Sequence, residues 1–448
     1  MAGKLLSLIR LSFSIFFIWF STSTESKDDL SSPTSRFQSF LRINTSQPSP
    51  DYDSAVSFLS SIALSLNLST RILHYTPQRN KPILVVKWTG SDTSLPSILF
   101  NSHMDSVPAD PAQWYHPPFS AFKDASGRIF ARGAQDDKCI SIQQLEAIRT
   151  LKSRDFTPMR TVYLSFVSDE EVGGEDGAKL FVNSLEFEEM RVGLVVDEGQ
   201  ASTGDEYRVF IADRVPWHVH IVAKGKPANG PLLYDGGAIE NLIKSLQTIY
   251  EFRETQFDLV KSGKATFSEV VSVNVVYFKA GIPWSSREES VQAAEAGLGL
   301  DVRVPPTMDG ELLRRRIAEE WAPSERNMTF KIVEKGSLVD KKGKIVMTAT
   351  DESNPWFREF EKAVEMAGGK LSKAEILAST TDARFPRILG LPAFGFSPMR
   401  NTPILLHENN EFLKEDTFLE GILVYEKLIS CLSFFYGQQP NDESVKNV

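Results

Sequence analysis

The feature that most constrains the fold is an alternation along the chain of short apolar runs with stretches of helical spacing. Strands that alternate with helices form a largely parallel sheet with helices on both faces. We therefore predict an α/β fold with three layers and a mostly parallel sheet. The apolar runs, each bounded by turn residues, are 83–88, 98–100, 162–167 and 192–196, and helical spacing follows at 140–151 and 178–185.

A second region interrupts this alternation. Residues 215–335 follow the order strand, helix, strand, strand, helix, strand, which is typical of a compact β-α-β-β-α-β unit. We predict an inserted α+β domain there, with the main domain formed by 51–214 and 336–438. Residues 24–50 are rich in Ser, Thr and Pro and are expected to be a flexible tether, and 439–448 a tail.

The amino-acid composition argues against several classes of protein and of metal site. A chain of 448 residues with 42% hydrophobic and 24% charged residues is an ordinary globular protein of two or three domains. Its formal charge of −9 argues against binding to nucleic acid. With only Cys139 and Cys431, neither a disulfide framework nor a thiolate zinc site fits.

The first residues resemble a targeting segment. Lys4 and Arg10 precede the apolar run 11–20, and small residues follow. This pattern predicts a cleavable signal peptide over 1–23, because the run is shorter than the roughly 20 residues of a membrane span. An uncleaved anchor is the alternative. We expect a secretory-pathway glycoprotein without a membrane span after cleavage, in the endoplasmic reticulum lumen, a vacuole or outside the cell. Three sequons begin at Asn44, Asn67 and Asn327.

Acidic and histidine residues follow the predicted strands. His103 comes after 98–100, and Asp136 opens a helix, where acidic residues are also ordinary caps. Carboxyl ends of parallel strands meet at one rim, so these side chains would concentrate negative charge there. Such charge is costly unless a cation neutralises it, and imidazole with carboxylates is a zinc-type ligand set. The remaining members are Glu170 and Glu171, Asp197 and Glu198, and His407 late in the chain.

The motifs SHMDS, RGAQDDK, SDEEVGG, VDEG, TTDAR and TPILLHENNEFL stand in this order along the chain. In this respect the sequence resembles the zinc-dependent aminoacylases, which are N-acyl-L-amino-acid amidohydrolases among the co-catalytic zinc peptidases and amidases. The resemblance covers about Arg36 to Phe435. It implies a zinc-peptidase-like domain and an inserted lid domain that mediates dimerisation, so we expect a homodimer.

The resemblance also implies a metal site with two Zn²⁺ per subunit. His103, Asp136 and Glu198 would hold one ion. Asp136, Glu171 and His407 would hold the other, so that Asp136 bridges both. A bridging carboxylate of this kind holds two ions roughly 3.5–4 Å apart.

The same resemblance assigns three further roles. Glu170 would be the general base that takes a proton from the attacking water and delivers it to the leaving amine. Asp105 would orient His103, and Arg384 would bind the substrate carboxylate through its guanidinium fork. A surface salt bridge is the alternative for Arg384.

The lid departs from the aminoacylase pattern at two places. Aminoacylases carry Gly-x-Pro-Gly-His-Gly there, and the histidine reaches into the partner's active site to stabilise the oxyanion. Here the segment is 225–230, and Asn229 stands in place of that histidine. An asparagine can donate a hydrogen bond but carries no positive charge. The loop 279–297 also lacks the substrate-binding asparagine of the family and is shorter.

Three functions are therefore compatible with the sequence. The leading hypothesis is zinc-dependent hydrolysis of N-acyl-L-amino acids to a carboxylate and a free amino acid. A second is a zinc-binding paralogue with little hydrolysis, acting as a binder or dimer partner, which the substitution at Asn229 favours. A third is a metallopeptidase that acts on short peptides with the same metal site.

Overall fold

The computed structural model describes residues 30–230, 232–281 and 291–436. The predicted signal peptide and the tail lie outside this part, and within it no helix is long and apolar enough to cross a membrane. The helices are α1 Pro33–Arg42, α2 Tyr52–Ser65, α3 Lys138–Lys152, α4 Ala178–Val182, α5 Leu185–Met190, α6 Ala238–Lys261, α7 Gly310–Arg316, α8 Pro355–Met366, α9 Arg384–Ile388 and α10 Glu415–Phe434. The strands are β1 Ser69–His74, β2 Pro82–Trp88, β3 Ser97–His103, β4 Phe122–Lys123, β5 Arg128–Phe130, β6 Val162–Val167, β7 Val192–Asp197, β8 Phe210–Asp213, β9 Val215–Lys224, β10 Ser272–Ala280, β11 Glu295–Val304, β12 Met328–Glu334, β13 Glu375–Leu377, β14 Ala393–Gly395 and β15 Phe412–Lys414.

An eight-stranded sheet in the order β1-β2-β6-β3-β7-β14-β8-β13 forms the centre of the larger domain. Its four middle strands, β6, β3, β7 and β14, run parallel to one another. The predicted α/β class with a mostly parallel sheet is therefore confirmed at the centre. The sheet is antiparallel where β2 meets β1 and β6 and where β8 meets β14.

Helices cover both faces of this sheet. Because successive side chains of a strand point to opposite faces, Phe100 and Val86 pack with α1, α3 and α10, whereas Leu99 and Val85 pack with α4 and α5. The strands are apolar on both sides for this reason. The result is the three-layer arrangement expected from the sequence.

A second sheet has the order β10-β11-β9-β12 and is antiparallel throughout. It has its own core, in which Trp217, Leu298 and Trp321 are buried together with residues of α6. β10 lies at its edge, and Tyr277 on this strand is 52% exposed.

The expectation of a flexible tether over 24–50 is wrong for its described part. Residues Pro33–Arg42 form α1, and Phe37 and Phe40 are completely buried in the main core. Arg36 and Glu146 of α3, both buried, form a two-pronged ion pair with distances of 2.6 and 2.7 Å. This segment is therefore an integral part of the larger domain.

The composition of this segment concealed its helix. Ser32 is the N-cap, Pro33 occupies the first turn, and Ser32 and Ser35 form a reciprocal capping box. Ser and Pro are typical of loops, but they are equally typical of a helix start. The position of the two phenylalanines three residues apart was the signal for the helix.

Candidate metal centre

Neighbouring strand ends place the acidic and histidine residues at one rim. His103 is the last residue of β3 and pairs with Val167, the last residue of β6. Glu170 follows three residues beyond that pair, and Glu198 directly follows β7. Since these strands are parallel, their carboxyl ends meet at the same edge, as the sequence predicts.

Five side chains converge there in two groups that share Asp136. The first group is His103, Asp136 and Glu198, with His103 Nε2 at 3.0 Å from Asp136 Oδ1 and 3.5 Å from Glu198 Oε2. In the second, His407 Nε2 lies 3.2 Å from Asp136 Oδ2 and 3.0 Å from Glu171 Oε2. Each oxygen of Asp136 thus faces a different histidine.

This arrangement fits two metal ions. Ligand atoms bound to a tetrahedral Zn²⁺ at about 2.05 Å lie roughly 3.3 Å from one another. The separations of 3.0–3.5 Å between the imidazole nitrogens and the carboxylate oxygens are close to this value. Two imidazoles with three carboxylates are also the donor chemistry that zinc accepts. His407 is the solvent-facing member, since 58% of its side chain is exposed.

The carboxylates of the rim raise the pKa of both histidines. Burial disfavours a charged His103, but the carboxylates of Asp137 and Glu198 outweigh burial and raise its pKa well above the usual value. Hydrogen bonds to Asp136 and Glu171 raise the pKa of His407 to about 10. The carboxylates that raise the pKa of both histidines would equally stabilise a bound cation.

The two adjacent glutamates differ in their surroundings. Glu171 Oε1 accepts the Val107 N–H at 3.1 Å, which fixes the side chain that also contacts His407. The carboxylate of Glu170 accepts no hydrogen bond from any described residue and belongs to neither ligand group. Burial and the nearby charges of Glu198 and Asp382 raise its pKa well above the usual value.

Asp105 contacts the ring of His103 through its main chain and, at a longer distance, through its carboxylate. His103 Nδ1 donates to the carbonyl oxygen of Asp105 at 2.9 Å, whereas the nearest oxygen of the Asp105 carboxylate is 3.6 Å away. A separation of 3.6 Å is too long for a hydrogen bond. The main-chain carbonyl therefore holds the ring of His103 directly, while the Asp105 carboxylate lies within ion-pair distance of the same nitrogen, so its orienting role stays a prediction. That carboxylate also contacts Gln47 and the N–H of Glu170.

One supporting residue was missed by the sequence analysis. Glu411 is completely buried, and one of its oxygens accepts the N–H of Gln135 at 2.6 Å and of Asp136 at 3.3 Å. The other pairs with Arg132 at 2.8 Å and accepts the Gly133 N–H at 3.0 Å. It holds the whole turn that presents Asp136. Its place four residues after His407, in a motif already recognised, was the only available signal.

Arg384 is buried beside the same rim. Its terminal nitrogens donate to the carbonyls of Thr381 at 2.8 Å and Gly173 at 2.7 Å, and its Nε is buried without a partner among the described residues. The alternative of a surface salt bridge is therefore wrong. Gly173 closes the turn of Glu170 and Glu171, so the guanidinium is fixed to the segment that carries them.

Asn229 lies in the smaller domain, in an exposed loop. Its main chain pairs with Val291, and its carbonyl accepts the Leu232 N–H at 3.1 Å. Both contacts are within the smaller domain. The missing family asparagine concerns 279–297, of which residues 282–290 lie outside the described part.

Known proteins resemble this chain over most of its length. The sequence profile of peptidase family M20/M25/M40 matches residues 99–430. Human aminoacylase-1 is 37% identical over 398 residues, which cover 89% of this chain and 94% of the relative. Aminoacylase-1 of Dictyostelium discoideum is 39% identical over 404 residues, which cover 88% and 96%.

Solved structures support the fold. The M20 metallo-carboxypeptidase Sso-CP2 of Sulfolobus solfataricus superposes with a TM-score of 0.67 at 17% identity, over 90% of this chain and 99% of that one. The YXEP protein of Bacillus subtilis, a dinuclear metal-binding peptidase, gives a TM-score of 0.62 at 15% identity, over 89% and 98%. The chain therefore belongs to peptidase family M20/M25/M40, and within it to the aminoacylase-type hydrolases.

Proposed function

We propose that this protein hydrolyses N-acyl-L-amino acids to a carboxylate and a free L-amino acid. The observation that carries the proposal is the pair of ligand groups that share Asp136. Beside them lies Glu170, whose carboxylate belongs to neither group and accepts no hydrogen bond from any described residue. The likeness to aminoacylase-1 over 89% of the chain directs this chemistry towards acylated amino acids.

The assignment of two Zn²⁺ per subunit belongs to the same proposal. His103, Asp136 and Glu198 would hold one ion, and Asp136, Glu171 and His407 the other. Zinc bound there would supply Lewis-acid activation of a water molecule and of the scissile carbonyl. Metal analysis of the purified protein tests the count, since fewer than two tight zinc ions per subunit would contradict the bridging role of Asp136.

The chain's own groups carry the remaining steps. Glu170 is free to accept the proton of the attacking water and to return it to the leaving nitrogen, because its carboxylate has no donor among the described residues and a raised pKa. Arg384 offers a guanidinium with an unpartnered Nε for the substrate carboxylate. We assign it the role of selecting substrates with a free α-carboxylate.

A steady-state assay on zinc-loaded protein tests the proposed reaction. N-acetyl-L-methionine should be hydrolysed, and N-acetyl-L-methionine amide, which lacks the carboxylate, should be a much poorer substrate. Dipeptides are the matched comparison for the metallopeptidase alternative. If a dipeptide is hydrolysed faster than the N-acyl amino acid, the substrates are short peptides and the proposed substrate class is wrong.

The second candidate function is a zinc-binding paralogue with little or no hydrolysis. Asn229 favours it, because an oxyanion donor that is lost costs about a hundred- to a thousandfold in turnover. Full zinc occupancy with no hydrolysis of any N-acyl amino acid would support this function and exclude the first.

A homodimer is part of the proposal. β10 is an edge strand of the smaller sheet, and Val276, Tyr277 and Phe278 on it are 68%, 52% and 48% exposed. A second copy pairing edge to edge would cover them. Tyr277→Asp should then shift the mass measured by light scattering from dimer to monomer, and a monomeric wild type would contradict the proposal.

Passage through the secretory pathway is proposed as well. The asparagines of the three sequons, Asn44, Asn67 and Asn327, are all exposed and open to glycosylation. Treatment of the protein from its native source with an N-glycosidase should lower its apparent mass. An unchanged mass together with an intact N-terminal segment would contradict entry into this pathway.

A further inference from the structure

The chain before α2 lies against the rim of the metal centre. We call residues 43–51 the N-terminal arm. The carbonyl of Thr45 accepts the Ser106 N–H at 3.1 Å, and the carbonyl of Ser106 accepts the Gln47 N–H at 2.9 Å. Ser46 and Ser106 pair as a parallel bridge. This pairing fixes the arm relative to the end of β3, since Ser106 directly follows Asp105.

Gln47 of the arm reaches the segment of Glu170 through one carboxylate. Its Nε2 donates to Asp105 Oδ2 at 2.7 Å, and the other oxygen of Asp105 accepts the main-chain N–H of Glu170 at 3.2 Å. Asp105 is completely buried, so water does not compete for these bonds. The carboxylate is therefore a bridge between the arm and Glu170.

Tyr52, directly after the arm, holds the preceding residue of the same turn. Its hydroxyl accepts the main-chain N–H of Asp169 at 3.0 Å, and Gln47 Nε2 lies 3.3 Å from that hydroxyl. Asp169 has a φ of +64°, a left-handed conformation that is uncommon outside glycine, although aspartate adopts it more readily than most residues. Such a conformation persists only where surrounding contacts hold it, and this hydrogen bond is one of them.

We propose that Gln47 and Tyr52 are positioning residues for Glu170. Together they fix the positions of two consecutive main-chain N–H groups, those of Asp169 and Glu170. In this way they set the position of the Glu170 carboxylate relative to the two ligand groups. Neither side chain belongs to the two ligand groups. The inference rests on the proposed function only in that Glu170 is its general base.

Hydrogen exchange of the zinc-loaded protein tests the positioning without any need for turnover. Gln47→Met removes the donor and keeps the shape, and Tyr52→Phe removes only the hydroxyl. Each should accelerate exchange of the Asp169 and Glu170 amides by about tenfold, with unchanged zinc content. The matched control is Gln38→Ala, which removes a bond of Nε2 to the carbonyl of Ala121 at 2.9 Å, away from this turn.

Unchanged exchange in both variants would overturn the proposal, and so would equal acceleration in Gln38→Ala, which would indicate general loosening.

Where turnover is measurable, each variant should lower kcat by about tenfold and leave KM unchanged. When either substitution is combined with Glu170→Gln, the residual kcat should stay that of Glu170→Gln alone. A further fall of kcat in the double variants would indicate a merely structural role for Gln47 and Tyr52. A wild type with no turnover contradicts the proposed function, and the exchange result still decides the positioning.

Discussion

The metal rim of the larger domain and the loop of Asn229 in the smaller domain were both expected to contribute to one reaction, yet they differ in construction. Three ligands of the rim, His103, Glu171 and Glu198, lie at or just after the ends of buried strands. Asp136 is held by the completely buried Glu411. Asn229 lies in an exposed loop. A site on the ends of packed strands tolerates few changes, because any shift disturbs the core, whereas an exposed loop can change without loss of the fold. All five expected ligand side chains converge at the rim, whereas the smaller domain carries Asn229 where the resemblance to the aminoacylases implies a histidine.

The largest expected effect concerns the rim. Glu170→Gln removes the proposed base but keeps the size of the side chain, so kcat should fall by about 10²–10⁴ while zinc content stays constant. Glu171→Gln is the matched variant one residue away, and it should lower zinc content because Glu171 contacts His407. Kinetics and metal analysis of both variants check this. If Glu170→Gln sheds zinc and Glu171→Gln does not, the two roles are exchanged.

The next effect concerns the lid. If Asn229 occupies the position of an oxyanion donor, Asn229→His should raise kcat for N-acetyl-L-methionine by about a hundredfold. The gain should appear in kcat more than in KM, since charge on the oxygen develops only in the transition state. The measurement compares both proteins at equal zinc occupancy and in the same oligomeric state. A wild type that already matches the histidine variant would show that the lid has no deficit.

A smaller effect is expected from the residue that supports the rim. Glu411→Gln removes the negative charge that pairs with Arg132, and it replaces one of the two oxygens that accept main-chain N–H groups of the turn with an amide NH2 that cannot accept. Zinc affinity should fall about 10- to 100-fold, as for other residues that hold metal ligands in place. Glu408→Gln, an exposed change in the same loop, is the control. Competition with a chelator measures the difference, and equal affinities would show that the turn of Asp136 needs no such support.

The sequence predicted the rim better than the parts that support it. Three ligands stand two to four residues after an apolar run, namely His103, Glu171 and Glu198. The parallel sheet alone was therefore sufficient to bring them together. The contact of Gln47 with Asp105 joins positions 58 residues apart, and that of Glu411 with Gln135 spans 276. Such contacts follow from tertiary packing and leave no periodic pattern. Helix α1 was missed for a different reason, since its capping residues are also typical of loops.

The last prediction separates the two regions by the pH dependence of zinc affinity and of kcat. His407 has a pKa of about 10 in the metal-free protein because of Asp136 and Glu171, and the pKa of His103 is also raised. Both are protonated below their pKa, so zinc has to displace these protons. Its affinity should therefore rise by about tenfold per pH unit for each proton displaced between pH 6 and 8.

Calorimetry in buffers of different ionisation enthalpy counts the protons released, and a pH-independent affinity would contradict this origin. Asn229 does not titrate, so the wild-type lid adds no pH dependence of its own. In Asn229→His, the plot of kcat against pH should show a new titration near the ordinary histidine pKa of about 6.5. Because only a protonated histidine carries the charge that favours the oxyanion, kcat should decline above that pH. If the variant has a raised kcat that does not change with pH near 6.5, the histidine acts as a neutral hydrogen-bond donor. The positive charge of the family histidine would then not be the property that Asn229 lacks.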